Sequence, residues 1–299
     1  MFDTSPQLDC NGRILRLDVP RVMGIVNVTP DSFSDGGAHD DVEAAVAHGL
    51  QLVAEGADLL DIGGESTRPG AEEVPVEEEL RRVIPVIERL AKDTSVPISI
   101  DTSKPEVMRA AVEAGAGMIN DVFALRREGA LDAAAALRVP VVLMHMQGEP
   151  RTMQSAPDYD DVVGEVHRFL AERIFAAEMA GVARRNIVVD PGFGFGKTTA
   201  HNLQLLAQLR RFTELGVPVL AGMSRKKSIG ELTGHEDPRE RVFGSVAAHL
   251  IAAQNGAMLL RVHDVAATVD ALKVWNAVAA LPAQRKATGS PAVQWPDDT

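Results

Sequence analysis

Eight short apolar segments recur along this chain, each ending in or running into a polar or glycine residue and each followed by a stretch of helical period; no other feature restricts the fold as much. They are Val22–Asn27, Leu59–Gly63, Ile98–Asp101, Met118–Asp121, Val141–Met144, Ile187–Asp190, Val219–Met223 and Leu259–Val262. Apart from Ile98-Ser99-Ile100-Asp101, none alternates apolar with polar residues, so the strands have to be covered on both faces, as in a parallel sheet flanked by helices. Between the first two, Val42, Ala45, Val46, Gly49, Leu50 and Val53 share one helical face at i, i+3, i+4 spacing. Ser103, Pro105 and Glu106 predict a capping box with proline in the first turn, and Gly115 predicts where that helix stops. Eight strand, loop and helix units in about 250 residues predict the α/β class and a (β/α)8 TIM barrel. A doubly wound open sheet is the alternative. Ahead of these units, Asn11-Gly12 predicts an N-terminal β-hairpin with a type I′ turn, residues 8–18, plugging the bottom of the barrel. Past Leu281 the chain turns to Pro, Gly and Ser without periodicity, which predicts a flexible tail over 282–299 behind a single domain spanning 1–281.

Charge narrows the choice of partner. With 30 basic and 42 acidic residues the net charge is -12, so the surface as a whole repels nucleic acid and anionic membrane, and any anion site has to be a local basic cluster. The lone cysteine, Cys10, permits no internal disulfide and no thiolate metal site. No apolar run reaches the roughly 18 residues of a membrane span, and the start, MFDTSPQLDCNGR, lacks the regions of a signal peptide. A cytoplasmic protein without nucleic-acid or membrane partners is therefore expected.

In a barrel the working residues sit at the C-terminal ends of the strands. Asp101, Asn120 and Asp190 end three of them, and such side chains suit a flat, nitrogen-rich heterocycle. A strand-end Asp is also the usual N-cap of the next helix. Arg225, Lys226, Lys227, Arg261 and His263 stand at the ends of the last two strands, on the side where barrels place phosphate, and form the local basic cluster that the net charge makes conspicuous. Solvated lysines are the alternative there. His145 and His263 lack metal-ligand spacing, so zinc is not expected, and any metal would be an oxygen-bound Mg2+ held partly by substrate phosphate. Pro191-Gly-Phe-Gly-Phe-Gly-Lys-Thr is neither a Walker A loop, since position 191 is proline, nor G-x-G-x-x-G, since position 197 is lysine. Its glycines either let Phe193 and Phe195 meet a planar ligand or merely keep the loop flexible. The segments after the first two strands, with Ser32, Phe33, Ser34, Gly36 and Gly37, and with Ser66, Thr67, Arg68, Pro69 and Gly70, read as lids or as plain connections.

Six of these motifs, in order, closely resemble the bacterial dihydropteroate synthase family: Asn27-Val-Thr-Pro-Asp-Ser-Phe-Ser-Asp-Gly-Gly, Gly63-Gly-Glu-Ser-Thr-Arg-Pro-Gly, Asp101-Thr-Ser-Lys-Pro, Asp190-Pro-Gly-Phe-Gly-Phe-Gly-Lys, Ser224-Arg-Lys and Arg261-Val-His-Asp. The likeness runs from about Arg21 to Val278. It implies a (β/α)8 barrel that joins 6-hydroxymethyl-7,8-dihydropterin diphosphate to p-aminobenzoate in folate synthesis, by an SN1-like path, with sulfonamides as competitors.

Position by position, the resemblance implies that Asp101, Asn120, Met144, Asp190 and Lys226 bind the pterin, with Arg261 stacking on its ring. Asn27, Arg261 and His263 would hold the diphosphate, with Mg2+ at Asn27 and Asp35 helping. Phe33, Thr67, Arg68, Pro69, Phe195 and Ser224 would line the p-aminobenzoate pocket. Asp101, Asp190, Lys226, Arg261 and Asp35 are the expected catalytic residues, and a homodimer through the C-terminal half is the expected assembly. Three readings compete. A corrinoid-linked methyltransferase barrel shares the pterin pocket but should lack the Ser-Thr-Arg-Pro-Gly and Ser-Arg-Lys loops. A non-catalytic pterin-binding paralogue should have lost Asn27, Phe33 or Arg68, and a phosphosugar isomerase would want a Glu or Lys base without the pterin trio.

Overall fold

The computed structural model describes residues 6–29, 38–66, 73–148, 153 and 157–281. Phe33, Asp35, Thr67, Arg68, Pro69 and the expected tail 282–299 lie outside the described residues. A hairpin of β1 (Gln7–Cys10) and β2 (Arg13–Arg16) comes first. The barrel strands are β3 (Arg21–Asn27), β4 (Leu59–Gly63), β5 (Ile98–Asp101), β6 (Met118–Asp121), β7 (Val141–Met144), β8 (Ile187–Asp190), β9 (Val219–Ala221) and β10 (Ala257–Val262). Neighbours pair in parallel and β10 pairs with both β9 and β3, so the sheet closes; the open doubly wound sheet is excluded. Helices α1 (Ala38–Ala54), α2 (Val76–Asp93), α3 (Pro105–Glu113), α4 (Ala130–Leu137), α5 (Val162–Met179), α6 (Thr199–Ala207), α7 (Arg210–Thr213), α8 (Lys227–Thr233), α9 (Val242–Gln254) and α10 (Val265–Ala279) fill the crossovers. Among the described residues no helix is long and apolar enough to cross a membrane.

Closure explains why all the barrel strands but β5 lack alternation. Outward residues such as Leu60, Ile62, Ile100, Ile119, Leu143 and Val189 pack under the helices in one cluster. Inward residues Met23, Leu59, Met118, Val142, Val188, Leu220 and Leu259 form a second, with Leu8, Cys10, Leu15 and Leu17 of the hairpin. The hairpin thus packs against the inward floor residues of the strands. Asn11 and Gly12 have φ of 56° and 85°, both positive as a type I′ turn demands. A Cβ on Gly117, just ahead of β6, would lie 2.3 Å from the carbonyl oxygen of Cys10, so the plug needs glycine there to seat.

The capping box at α3 is corrected. Pro105 stands in the first turn and Gly115 follows the end with φ 118°, but the N-cap is Lys104 and no side chain caps it. The Ser103 hydroxyl donates to Asp121 instead. Asp121 is fully buried, and an ionised carboxylate so placed needs donors more than a helix end does. It takes two more from the backbone N–H groups of Phe123 (2.8 Å) and Leu125 (2.7 Å).

Candidate active site at the mouth of the barrel

Two residues further along β4, β6, β8 and β10 the inward side chains turn polar, because alternate residues share a face of the pleat. Above Leu59, Met118, Val142, Val188 and Leu259 stand Asp61, Asn120, Met144, Asp190 and Arg261, with Asp101 on β5 beside them. Arg261 organises one side: its Nε donates to Asp61 Oδ2 (2.6 Å) and its Nη2 to Asp101 Oδ2 (2.7 Å). The Asn120 amide donates to the same Asp61 oxygen at 3.0 Å. Asp61 Oδ1 and the hydroxyl of Ser99, its register partner on β5, are buried with no hydrogen-bond partner among the described residues. Asp190 and Lys226 make the other side, and Lys226 Nζ stands 4.1 Å from the centre of the Phe195 ring, a cation–π contact. Met144 is buried among Val122, Met146, Met153 and Phe195.

Burial dominates the electrostatics. It drives the Asp101 carboxyl up to about 7, with Asp61 adding to the rise and Arg261 opposing it. Asp190 is raised by burial against the Gly192 N–H, which donates to its Oδ1 at 2.7 Å, and against Lys226. Burial brings Lys226 down to about 8 while Asp190 pulls the other way. Burial works against the Arg261 charge too, yet Asp61 and Asp101 outweigh it and raise that group. Acceptors and donors are therefore interleaved at close range.

The expected basic cluster is corrected in two members. Arg225, at φ 57°, turns away and pairs with Asp264 through Nε (3.0 Å) and Nη2 (2.5 Å). Lys227 is 89% exposed and meets Glu231 at 3.4 Å, because the residue after Lys226 begins α8 and projects from its open side. Lys226, Arg261 and His263 remain. Ser224 and His263 are joined: the Ser224 hydroxyl lies 3.0 Å from both the backbone N and Nδ1 of His263.

The glycine-rich segment after β8 is not loose. Gly192, Gly194 and Gly196 have φ of 70°, 79° and 62°, and a Cβ on Gly192 would lie 1.9 Å from the His145 carbonyl oxygen. Glycine is required there by conformation and contact, and the outcome is a buried, braced Phe195. Asn27 ends β3, and a Cβ on Gly63 would be 3.8 Å from both Asn27 Oδ1 and Asp101 Oδ2, so glycine keeps the space between them open. No group of three His, Cys, Asp or Glu that could hold a metal occurs among the described residues. One amide oxygen at an open mouth fits a hard cation that takes its other ligands from phosphate and water.

Sequence reasoning missed Asp61. Its signal was present, a charge inside the run Leu59-Leu60-Asp61-Ile62 that no solvent could reach.

The comparisons with known proteins agree. Residues 23–263 match the family model described as pterin binding enzyme. The chain is 54% identical over 271 residues to the dihydropteroate synthase of Escherichia coli K12, covering 91% of this chain and 96% of that one. A Xanthomonas albilineans dihydropteroate synthase solved with 4-aminobenzoic acid superposes with a TM-score of 0.90 at 77% identity, over 93% of this chain and all of that one. Another, from the same organism in complex with 7,8-dihydropteroate, gives 0.85 at 74% identity over the same shares.

Proposed function

The chain belongs to the pterin-binding dihydropteroate synthases, and from that premise we propose how its own residues run the reaction. It condenses 6-hydroxymethyl-7,8-dihydropterin diphosphate with p-aminobenzoate, giving 7,8-dihydropteroate and pyrophosphate in folate synthesis. The observation that carries the reading is the polar layer of Asp61, Asp101, Asn120, Asp190, Lys226 and Arg261, interleaved acceptors and donors above an apolar floor. In this reading the pterin lies among Asp101, Asn120, Met144, Asp190 and Lys226, under the plane of Arg261. The diphosphate is held by Asn27, Arg261 and His263. The p-aminobenzoate ring lies against Phe195 and Ser224, with Phe33, Thr67, Arg68 and Pro69 completing its pocket.

The bond from the exocyclic methylene to the diphosphate oxygen breaks first, and its electron pair leaves with pyrophosphate. Arg261 and His263 stabilise the charge that gathers there. Asp101 and Asp190, beside the ring, favour the cation left on the pterin methylene. The aniline nitrogen of p-aminobenzoate attacks that carbon as a neutral nucleophile and then loses a proton, so no general base is required for attack. Asp101 and Asp190 are aided by their burial, out of reach of water that would screen a charge. Mg2+, held by Asn27 and assisted by Asp35, would supply charge neutralisation of the diphosphate. Sulfonamides compete for the p-aminobenzoate half. We place the chain in the cytoplasm as a homodimer; the exposed apolar residues Phe243, Val274 and Val278 on α9 and α10 support a second copy there.

The test follows pyrophosphate and dihydropteroate together, from the purified chain with both substrates and Mg2+, with and without EDTA. Equal, Mg2+-dependent release of both is expected. Pyrophosphate without dihydropteroate would refute the p-aminobenzoate assignment, and silence in both from a folded, pterin-binding sample would favour the binding module over the enzyme.

A further inference from the structure

Lys197 is 3% exposed and has no part in the chemistry above. Four acceptors converge on its Nζ: the carbonyl oxygens of Gly192 (2.9 Å), Phe195 (3.0 Å) and His145 (3.3 Å), and His145 Nδ1 (2.9 Å). Three of these are main-chain carbonyls, the surroundings of a bound monovalent cation. They turn inward because Gly192, Gly194 and Gly196 all take the left-handed conformation, and inward carbonyls out of reach of water need donors. Burial works against a charge on Lys197 and lowers that group well below the usual lysine range, with Asp190 opposing; set against it, the converging acceptors call for the three N–H groups that an ammonium brings. Burial, with the Lys197 charge adding to it, presses His145 down to about 2, so the imidazole is neutral and its Nδ1 accepts.

The cage bears directly on one aromatic ring. Phe195 contributes a carbonyl to it and stands between Gly194 and Gly196, and its ring carries Lys226 Nζ at 4.1 Å. From the other flank the Tyr159 hydroxyl donates to Gly196 O at 2.8 Å, and the Gly194 N–H donates to Asn202 Oδ1 at 2.8 Å. Asp61, Asn120 and Arg261 bond to one another with no share in this loop. That corner of the pterin site is thus braced apart from the loop, while Asp190 and Lys226 meet the loop through the Gly192 N–H and the Phe195 ring.

We propose that Lys197 is a positioning residue for the p-aminobenzoate half of the site, its ammonium acting as a built-in monovalent cation that locks the 191–197 loop and so fixes the Phe195 ring. This rests on the reading that places p-aminobenzoate against Phe195. Lys197 touches neither substrate; its effect passes through the loop backbone.

The test is steady-state kinetics on Lys197→Ala, with each substrate varied in turn and with added methylammonium, which can enter the emptied cage and offer the same donors. KM for p-aminobenzoate is expected to rise about tenfold, while the affinity for pterin diphosphate, measured by calorimetry without p-aminobenzoate, changes by less than about threefold. Methylammonium should restore much of the loss and tetramethylammonium, which has no N–H donor, none of it. A purely structural lysine would lower the active fraction, and with it kcat, but would leave KM in place and ignore added amine; that outcome overturns the proposal. If Lys197→Ala does not fold, Tyr159→Phe loosens the same loop from outside, and an unchanged KM for p-aminobenzoate there overturns it equally. Failure of the unaltered protein to form dihydropteroate would instead sink the underlying reading.

Discussion

The two ends of this barrel are built from the same strands, two residues apart, and they do opposite things. At the floor, Met23, Leu59, Met118, Val142, Val188, Leu220 and Leu259 meet the hairpin's Leu8, Cys10, Leu15 and Leu17, with apolar side chains facing apolar side chains. One step of the pleat higher, the inward positions of the same strands carry Asp61, Asn120, Asp190 and Arg261, and two buried oxygens there lack partners among the described residues. The floor gains by excluding water from surface that has no other use. The mouth holds charges in surroundings that penalise them, which raises Asp101 to about 7 through burial. The difference teaches that the floor supplies the stability against which the mouth's strain is set, a division that leaves polar groups free for a ligand.

The sharpest way to break the comparison is to alter both ends of one strand. On β10, Arg261→Ala should lower kcat/KM by about 10²–10³, in line with loss of one charge-stabilising donor, and weaken diphosphate binding, with some loss of stability because Asp61 and Asp101 keep their burial without their partner. Leu259→Ala should cost about 2–5 kcal/mol of stability as a cavity, read by chemical denaturation, and leave kcat of the folded protein near that of the parent. A reversal of this pattern would show that the ends are not separable.

The next effect is in pH. The Asp101 carboxyl is raised from 3.8 to about 7 by burial, so between those values the folded chain binds a proton that the unfolded chain has lost. This contribution to stability is present below about pH 4 and is lost as pH rises through 7. Asp101→Asn, which cannot ionise, should therefore flatten the stability profile across that window while greatly reducing turnover. A mutant with normal turnover would refute the electrostatic role of Asp101. A profile as steep as the parent's would place the titration elsewhere.

The smallest effect separates adjacent lysines. Lys227 is 89% exposed, so Lys227→Ala should leave kcat/KM within about twofold, as for most solvated surface charges. Lys226→Ala, removing the ammonium over Phe195, should not be tolerated in the same assay.

Much of this was legible from residues alone. Each barrel strand is an apolar run bounded by a polar residue or glycine, a local signal that needs no knowledge of neighbours. Asn11-Gly12 announced its turn by the same logic, since both residues tolerate positive φ. What escaped depended on which way a side chain faces. Asn120 and Asp121 are adjacent polar residues at the end of β6, yet the first points into the mouth and bonds Asp61 while the second faces outward and takes Ser103 and two backbone N–H groups. The glycine segment after β8 was open to two readings because glycine serves flexibility and tight contact alike. Only the carbonyls of His145 and Gln147 above it, which a Cβ on Gly192 or Gly196 would strike, decide for contact.

By itself, then, the sequence determined the number of strands, the helices that cover them, the hairpin ahead of them and the motifs at their ends, because apolar period and turn chemistry act within a few residues of chain. The tertiary structure alone decided that Asp61 belongs to the mouth, that Arg225 braces Asp264 while Lys226 faces the site, and that Lys197 lies in a cage of carbonyls. Those outcomes depend on strand register and barrel closure, which bring together residues up to 200 positions apart and fix the pleat face that each presents.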